Sequence, residues 1–226
     1  MTRSKRSAAE IAGRFLFISL ILCAAYALVR VFTVPSVPVN GYANGRSDYV
    51  LMFIQCLLGL VVLSLPSILQ RKLNMTIPNF IYVMYYIFLY CAIILGEVLH
   101  FYYVIPHWDI ILHFFSGAML GALGFILVSQ LSDSDKVRVS LSPAFIALFA
   151  FCFALSCGAL WEIYEFAFDG LLGLNMQKFT TASGEVLVGH LALRDTMTDM
   201  IVDAAAALLI ALLGYLRLKG EKNQEN

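Results

Sequence analysis

Residues 142–169 read SPAFIALFAFCFALSCGALWEIYEFAFD, a long apolar run that ends in three carboxylates. No charged residue lies between Ser142 and Trp161, and about 20 apolar residues suffice for an α-helix to cross a hydrocarbon core about 30 Å thick. Glu162, Glu165 and Asp169 follow at intervals of three and four, which places them on one helix face. The stretch therefore predicts a membrane-spanning helix with an acidic stripe at one end.

The rest of the chain has the same apolar character. Of its 226 residues, 61% are hydrophobic and only 13% are charged, and the mean hydropathy is +0.82. The apolar runs predict six spans, at about 11–34, 50–69, 80–101, 110–131, 142–168 and 196–218. We therefore expect an all-α, polytopic membrane helical bundle. Its six-span domain covers 11–218, between short tails at 1–10 and 219–226.

The distribution of cations predicts how the bundle is oriented. With the N-terminus inside, eleven of the 15 Lys and Arg residues fall on the cytoplasmic side, and only Arg30, Arg46, Lys178 and Arg194 fall outside. We therefore expect both tails to be cytoplasmic (N-in/C-in) in the inner, or cytoplasmic, membrane. The lipid bilayer is the expected partner, and a formal net charge of zero predicts no nucleic-acid partner.

Acidic residues concentrate at one end of the last four predicted spans. They are Glu97, Asp109, Glu162, Glu165, Asp169, Asp195, Asp199 and Asp203. In the predicted orientation this end is extracytoplasmic, and the polar site falls within residues 97–205. A charged side chain at membrane depth costs roughly 2.5–3.5 kcal/mol even on the most lenient scale, so such residues usually have a function.

The spacing of these acids predicts that three helices face one site. Asp109 and His113 are four residues apart in span four, and Asp195, Asp199 and Asp203 repeat every four residues in span six. At 1.5 Å per residue, the last of these lies about 12 Å deeper than the first. The acids therefore line a crevice that extends toward the middle of the membrane.

Few cations are available to neutralise this crevice. No Lys or Arg lies between Arg138 and Lys178 or between Arg194 and Arg217, and we expect Arg194 to serve one or two acids at the mouth. The others need protons, water or a bound cation. A divalent cation would keep them ionised. Carboxylates with one imidazole suit Mg²⁺, Mn²⁺ or Ca²⁺, and also Zn²⁺ or Fe²⁺.

These considerations predict a set of site residues. The candidate metal ligands are His113, Glu162, Glu165, Asp199 and Asp203. Glu162, Glu165 and Asp199 are the catalytic candidates, and Asp109, Asp195, Arg194 and Ser116 are the supporting residues. Some of the polar residues also have a structural interpretation: Asp109 and Asp195 as helix N-caps, Asp169 as a solvated helix end, and His113 as an interhelical hydrogen-bonding residue.

Two further features bear on how the site is assembled. Gly117, Gly121 and Gly124 give span four a face of small residues, which lets other helices approach closely. The connection at 171–194 is too polar to span the membrane, yet it carries Val186 and Val188. Part of it is therefore expected to lie on the membrane surface.

The three motifs together resemble a known family. They are Asp109-xxx-His113-Phe-xx-Gly117, Trp161-Glu162-xx-Glu165-Phe and Asp195-Thr196-xx-Asp199-xxx-Asp203. In this order they are similar to the YjdF-like family of bacterial inner-membrane proteins, over about residues 105–214. More distantly they resemble the VanZ-like family, whose members are associated with altered susceptibility to glycopeptide antibiotics of the teicoplanin type. The resemblance supports the site positions and implies no particular substrate.

Three functions fit these observations. The first is metal-dependent, hydrolase-like action on a lipid or cell-envelope substrate, in which one acid is a general base. The second is a component of a proton- or cation-coupled transporter, which a broken helix or an inverted repeat would favour. The third is a non-catalytic membrane module whose polar stripes hold three helices together. The sequence alone leaves all three open.

Overall fold

The computed structural model describes residues 7–34, 45–72, 74–132, 141–181 and 185–225, and these residues are almost entirely helical. The helices are α1 (Ala8–Thr33), α2 (Arg46–Val62), α3 (Leu65–Lys72), α4 (Asn79–Leu89), a π-helix (Tyr90–Val98), α5 (Phe101–Val104), α6 (Trp108–Ser132), α7 (Pro143–Leu172), a 3₁₀ turn (Gly189–Leu191) and α8 (Arg194–Glu225). Within these ranges the only β-type pairing is an isolated antiparallel bridge between Thr180 and Val186. The prediction of an all-α fold is confirmed.

Six helical segments are long and apolar enough to cross a membrane, as predicted. They are Ala8–Thr33, Asp48–Lys72, Asn79–Val98, Trp108–Gln130, Pro143–Leu172 and Arg194–Lys222. The second joins α2 to α3, and the third joins α4 to the π-helix. The N-in/C-in orientation stays a prediction.

Several boundaries differ from the predicted ones. The third segment ends at Val98 rather than near 101, because His100 adopts a left-handed backbone conformation (φ +60°) that ends the helix. The last helix begins at Arg194 and continues to Glu225, so most of the predicted tail at 219–226 extends this helix. Most of the predicted tail at 1–10 lies outside the described residues, and α1 already begins at Ala8.

The chain forms two compact units, Met1–Trp108 and Asp109–Asn226. In the first unit, Leu16 and Leu20 of α1 are buried against Cys56, Leu89 and Ile94. A smaller cluster lies around Tyr49, whose ring is 5.1 Å from the guanidinium carbon of Arg30. The core of this unit is therefore mainly apolar.

The second unit consists mainly of α6, α7 and α8, which approach closely at glycines. A Cβ atom added at Gly117 would lie 2.9 Å from the carbonyl oxygen of Asp203 on α8, and one added at Gly124 would lie 2.9 Å from Cα of Ala150 on α7. Gly121 faces Ile210 of α8 in the same way. The predicted small-residue face of span four is therefore confirmed, and it brings the polar stripes of the three helices together.

Candidate functional site

The buried face of α7 changes from small residues to acids along its length. Its first part carries Ala147, Ala150, Ala154 and Gly158, and its last part carries Glu162, Glu165 and Asp169, all buried. These positions recur at three or four residues, so they form one continuous stripe. The acids thus lie on the same packed face as the small residues and do not face outward.

The acids of α8 are still more enclosed. The exposed fraction is 1% for Asp199 and 2% for Asp203, so both rank among the most deeply buried side chains of the described residues. Asp195, at the start of the helix, is only partly buried. The stripe on α8 therefore runs from a half-open end to a fully buried one, as its four-residue spacing predicts.

His113 of α6 lies among the acids and uses its two ring nitrogens differently. Nδ1 is 3.2 Å from Oδ2 of Asp203, a hydrogen-bonding distance. If Asp203 is ionised it can only accept, so Nδ1 would donate the proton, and the lone pair of a neutral imidazole would then be on Nε2. Nε2 lies 3.8 Å from Oδ1 of Asp109, 3.9 Å from Oε1 of Glu162 and 4.0 Å from Oδ2 of Asp199.

These three distances are too long for hydrogen bonds, which require about 2.7–3.2 Å. A nitrogen and an oxygen that both bind one cation at about 2.0–2.1 Å are at most about 4.2 Å apart, so the three distances lie just inside the upper limit for a shared ion. One ligand atom from each of Asp109, His113 and Asp199 lies within 4.8 Å of the other two. These three residues therefore form a group that could hold one metal ion if their ligand atoms moved closer together.

Several buried oxygens at this point have no hydrogen bond. Within the described residues, both oxygens of Glu162, Oδ2 of Asp199 and Oδ1 of Asp203 lack a partner at hydrogen-bond distance and geometry, although Oε1 of Glu162 and Oδ2 of Asp199 lie near Nε2 of His113. Glu162 is only 4% exposed. A buried acceptor without a partner costs about 1–3 kcal/mol, and more when it is charged. The pocket therefore has unused oxygen ligands that face the same imidazole.

Lys178 supplies a positive charge at the mouth of this site. Its ammonium group forms ion pairs with Asp109 and with Asp195, at 3.0 Å from Oδ1 of the latter. Burial alone lowers the pKa of Lys178, but the two carboxylates outweigh this effect and raise the pKa above its usual range. Asp109 therefore directs one oxygen to Lys178 and the other to His113.

Asp169 positions the segment that carries Lys178. Its two carboxylate oxygens accept backbone N–H groups from Met176, at 2.7 Å, and Gln177, at 2.9 Å. The side chain is buried, so the interpretation of Asp169 as a solvated helix end is wrong. Lys178 itself has a left-handed backbone (φ +48°). The carboxylate thus ties the connection after α7 to the end of that helix.

The remaining predicted residues lie around this centre. Glu165 is buried and accepts a hydrogen bond from the indole of Trp161, at 3.0 Å, and no ion pair joins it to His113 among the described residues. Ser116 donates to the backbone carbonyl of His113 in its own helix. Arg194 is exposed, and its predicted pairing with the acids is made by Lys178 instead.

Glu97 belongs to the other compact unit, in the π-helix, where it is half-buried. The second unit thus holds seven of the eight acids, and His113 lies at ion-pair distance from four of them.

The sequence analysis placed Lys178 on the same side as the acids but did not assign it to the site. It is the only cation between Arg138 and Arg194, and it lies in the connection between two acid-bearing spans. A single Lys or Arg between two acid-bearing spans indicates a partner for their carboxylates, so this position could have been assigned to the site from the sequence. The backbone turn that delivers it was not visible in the sequence, because it depends on the hydrogen bonds of Asp169 to a segment seven and eight residues further along.

Comparison with known proteins gives two matches. The model of a family described as "Predicted membrane protein (DUF2238)" matches residues 16–220. An uncharacterized protein of Thermotoga maritima is 28% identical over 156 residues, which cover 69% of this chain and 72% of that protein. No solved structure matches the chain.

Proposed function

The chain belongs to the DUF2238 family of predicted membrane proteins, which is the YjdF-like family. We propose, from the geometry around His113, that this member of the family is a metal-dependent hydrolase acting on a lipid or cell-envelope substrate. The family match and the six apolar helices make it a multi-pass membrane protein of unknown function. The proposal concerns the second unit, where the acids surround His113.

One observation carries the proposal. Nε2 of His113 lies 3.8–4.0 Å from carboxylates on three helices, while its Nδ1 is bound to Asp203. An imidazole that donates from one nitrogen to a carboxylate and offers the other to a metal is a recurrent arrangement in metal sites. We assign Asp109, His113, Glu162 and Asp199 as ligands. In this proposal Asp203, which the sequence predicted as a ligand, has the role of orienting the ring through its contact with Nδ1.

The other acids support the chemistry of hydrolysis. A divalent cation held here would supply Lewis acidity and an activated water. Glu165 follows Glu162 by almost one helical turn, and Trp161 rather than His113 fixes its position. We assign it to proton transfer as the general base. The mouth lies where α6 and α8 begin, near the membrane surface, which suits a lipid or envelope precursor.

The first test measures bound metal. Elemental analysis of the purified protein should find near-stoichiometric divalent metal in the wild type, or after addition of Mn²⁺ or Zn²⁺. It should find almost none in Asp199→Asn. Glu97→Gln, the same chemical change at a half-buried acid of the first unit, is the matched control and should keep its metal. A well-folded wild type that binds no ion would refute the metal site.

The second test measures hydrolysis. Proteoliposomes made with total bacterial lipid should release a new product, detectable by mass spectrometry, that disappears with EDTA and in Asp199→Asn. Glu165→Gln should retain metal and lose this product. Proton-driven cation flux without bound metal would instead support the transporter hypothesis.

A further inference from the structure

The connection between α7 and α8 has a polar side and an apolar side. On its polar side Lys178 pairs with Asp109 of α6 and Asp195 of α8, and within the connection Asn175 exchanges hydrogen bonds with the backbone of Thr180. The other side exposes apolar side chains. The exposed fraction is 62% for Val186 and 80% for Val188, and Leu191 and Leu193 are also more than half exposed.

The backbone explains this separation. Thr181 N donates to Glu185 O at 2.9 Å, and Leu187 N donates to Phe179 O at 2.8 Å, so two short antiparallel segments are paired. In extended backbone, residues two apart share a face. Val186 and Val188 therefore lie on one side, while Leu187 is half-buried on the other. The exposure of both valines on one side therefore agrees with the pairing of these two segments.

We propose that the exposed apolar side chains of this connection, Val186, Val188, Leu191 and Leu193, which we call its apolar face, are inserted into the lipid surface of the membrane. They lie in sequence between the ends of two segments that are apolar and long enough to cross a membrane. Leu171, at the end of the α7 span, is 79% exposed, and Arg194 begins the α8 span directly after Leu193. Apolar side chains at the ends of two spans lie at the depth of the interface, where such segments bind lipid.

The insertion has a geometric consequence for the mouth of the acidic site. Asn175 ties the segment that carries Lys178 to Thr180, which is paired with Val186, and Asp169 ties it to α7. If Val186 and Val188 are anchored in lipid, Lys178 is therefore held near the lipid headgroups. The inference goes beyond the proposed hydrolysis and requires no metal.

Photocrosslinking tests the proposal. One sample of the full chain carries p-benzoylphenylalanine in place of Val188. A separate sample carries it in place of Glu185, an exposed residue that lies on the same side as Leu187 and opposite Val186 and Val188. Each protein is reconstituted in vesicles of phosphatidylethanolamine and phosphatidylglycerol, irradiated and analysed by intact mass. A lipid adduct at position 188 several-fold above that at 185 is expected, with or without EDTA.

Two outcomes would overturn the proposal. Equal lipid yields at 188 and 185 would mean that the face is in water, and a crosslinked dimer in place of the lipid adduct would mean that a second copy covers it. The same probe in place of Leu191 repeats the measurement if the Val188 protein does not fold. Loss of hydrolysis or metal in separate experiments leaves this result unaffected.

Discussion

At the scale of single residues, the position of Asp203 depends on a glycine of another helix. A Cβ atom added at Gly158 of α7 would collide with Oδ2 of Asp203, the oxygen that hydrogen-bonds to His113. The carboxylate therefore occupies the space of a missing methyl group. Gly158 acts on His113 through Asp203, so it is a positioning residue for the proposed metal site.

Replacing this glycine should weaken metal binding without touching a ligand. In Gly158→Ala, Asp203 must move away from Nδ1, and we expect affinity for Mn²⁺ to fall about 10–100-fold, as for other lost partners of ligating imidazoles. Overpacking should also lower stability by about 1–3 kcal/mol. Affinity is read from the Mn²⁺ dependence of thermal unfolding.

Gly170→Ala is the matched control for that measurement. It makes the same change in the same helix, at a position where an added Cβ meets nothing within 4 Å. The affinity for Mn²⁺ should not change, and the free energy of unfolding should rise by about 0.4–1 kcal/mol. Unchanged Mn²⁺ affinity in Gly158→Ala would show that Asp203 does not orient the imidazole.

At the scale of elements, the connection after α7 contributes the charge that the helices lack. The ammonium group of Lys178 lies between the first acids of α6 and α8, and Asp169 fixes the turn before it. Removing the ammonium leaves two partly buried carboxylates close together. The connection is therefore part of the packing of the second unit.

Lys178→Gln should destabilise the protein by about 1–2 kcal/mol. This is less than the roughly 3–5 kcal/mol for breaking a buried pair, because the Lys178 side chain is 38% exposed and solvent screens the interaction. Arg194→Gln, a loss of charge at an exposed neighbouring position, should have little effect. Thermal unfolding can be followed with a thiol-reactive dye, since Cys56 is free and fully buried.

The pH dependence of this contribution follows from the direction of the pKa shift. The pKa of Lys178 is raised in the folded protein, so its stabilisation is complete below its usual pKa and is lost only as pH rises through the folded value. The difference in unfolding temperature between wild type and Lys178→Gln should therefore stay constant from about pH 7 to pH 9. A difference that vanishes in this range would contradict the ion pairs.

Some features of the elements could be predicted from the sequence, and others could not. Length and apolar content predict each span, and spacings of three and four predict which acids share a face. The left-handed backbone of His100 and the π-helix were not predicted from the sequence, and the turn at Lys178 depends on the hydrogen bonds of Asp169. So does the ring orientation of His113, which decides that Asp203 lies on one side and three other acids on the other.

At the scale of the whole molecule, the orientation in the membrane decides which compartment the site faces. The excess of Lys and Arg predicts cytoplasmic tails, so the connection after α7 should be extracytoplasmic. In intact cells, a membrane-impermeant maleimide should label Glu185→Cys, and it should label Glu221→Cys only after permeabilisation. Wild type, whose five cysteines lie in the spans, gives the background. The reverse labelling pattern would place the acidic site on the cytoplasmic side.

The order of the elements along the chain bears on biosynthesis. Helix α8 follows every other member of the acidic site and carries three of its carboxylates. Until it inserts, Lys178 lacks Asp195, and His113 lacks both Asp199 and Asp203. During translation, the polar residues of α6 and α7 are therefore in the bilayer before their partners on α8 have been inserted. A nascent chain stalled before Arg194 exposes that face, which makes it a natural substrate for membrane chaperones and quality-control proteases.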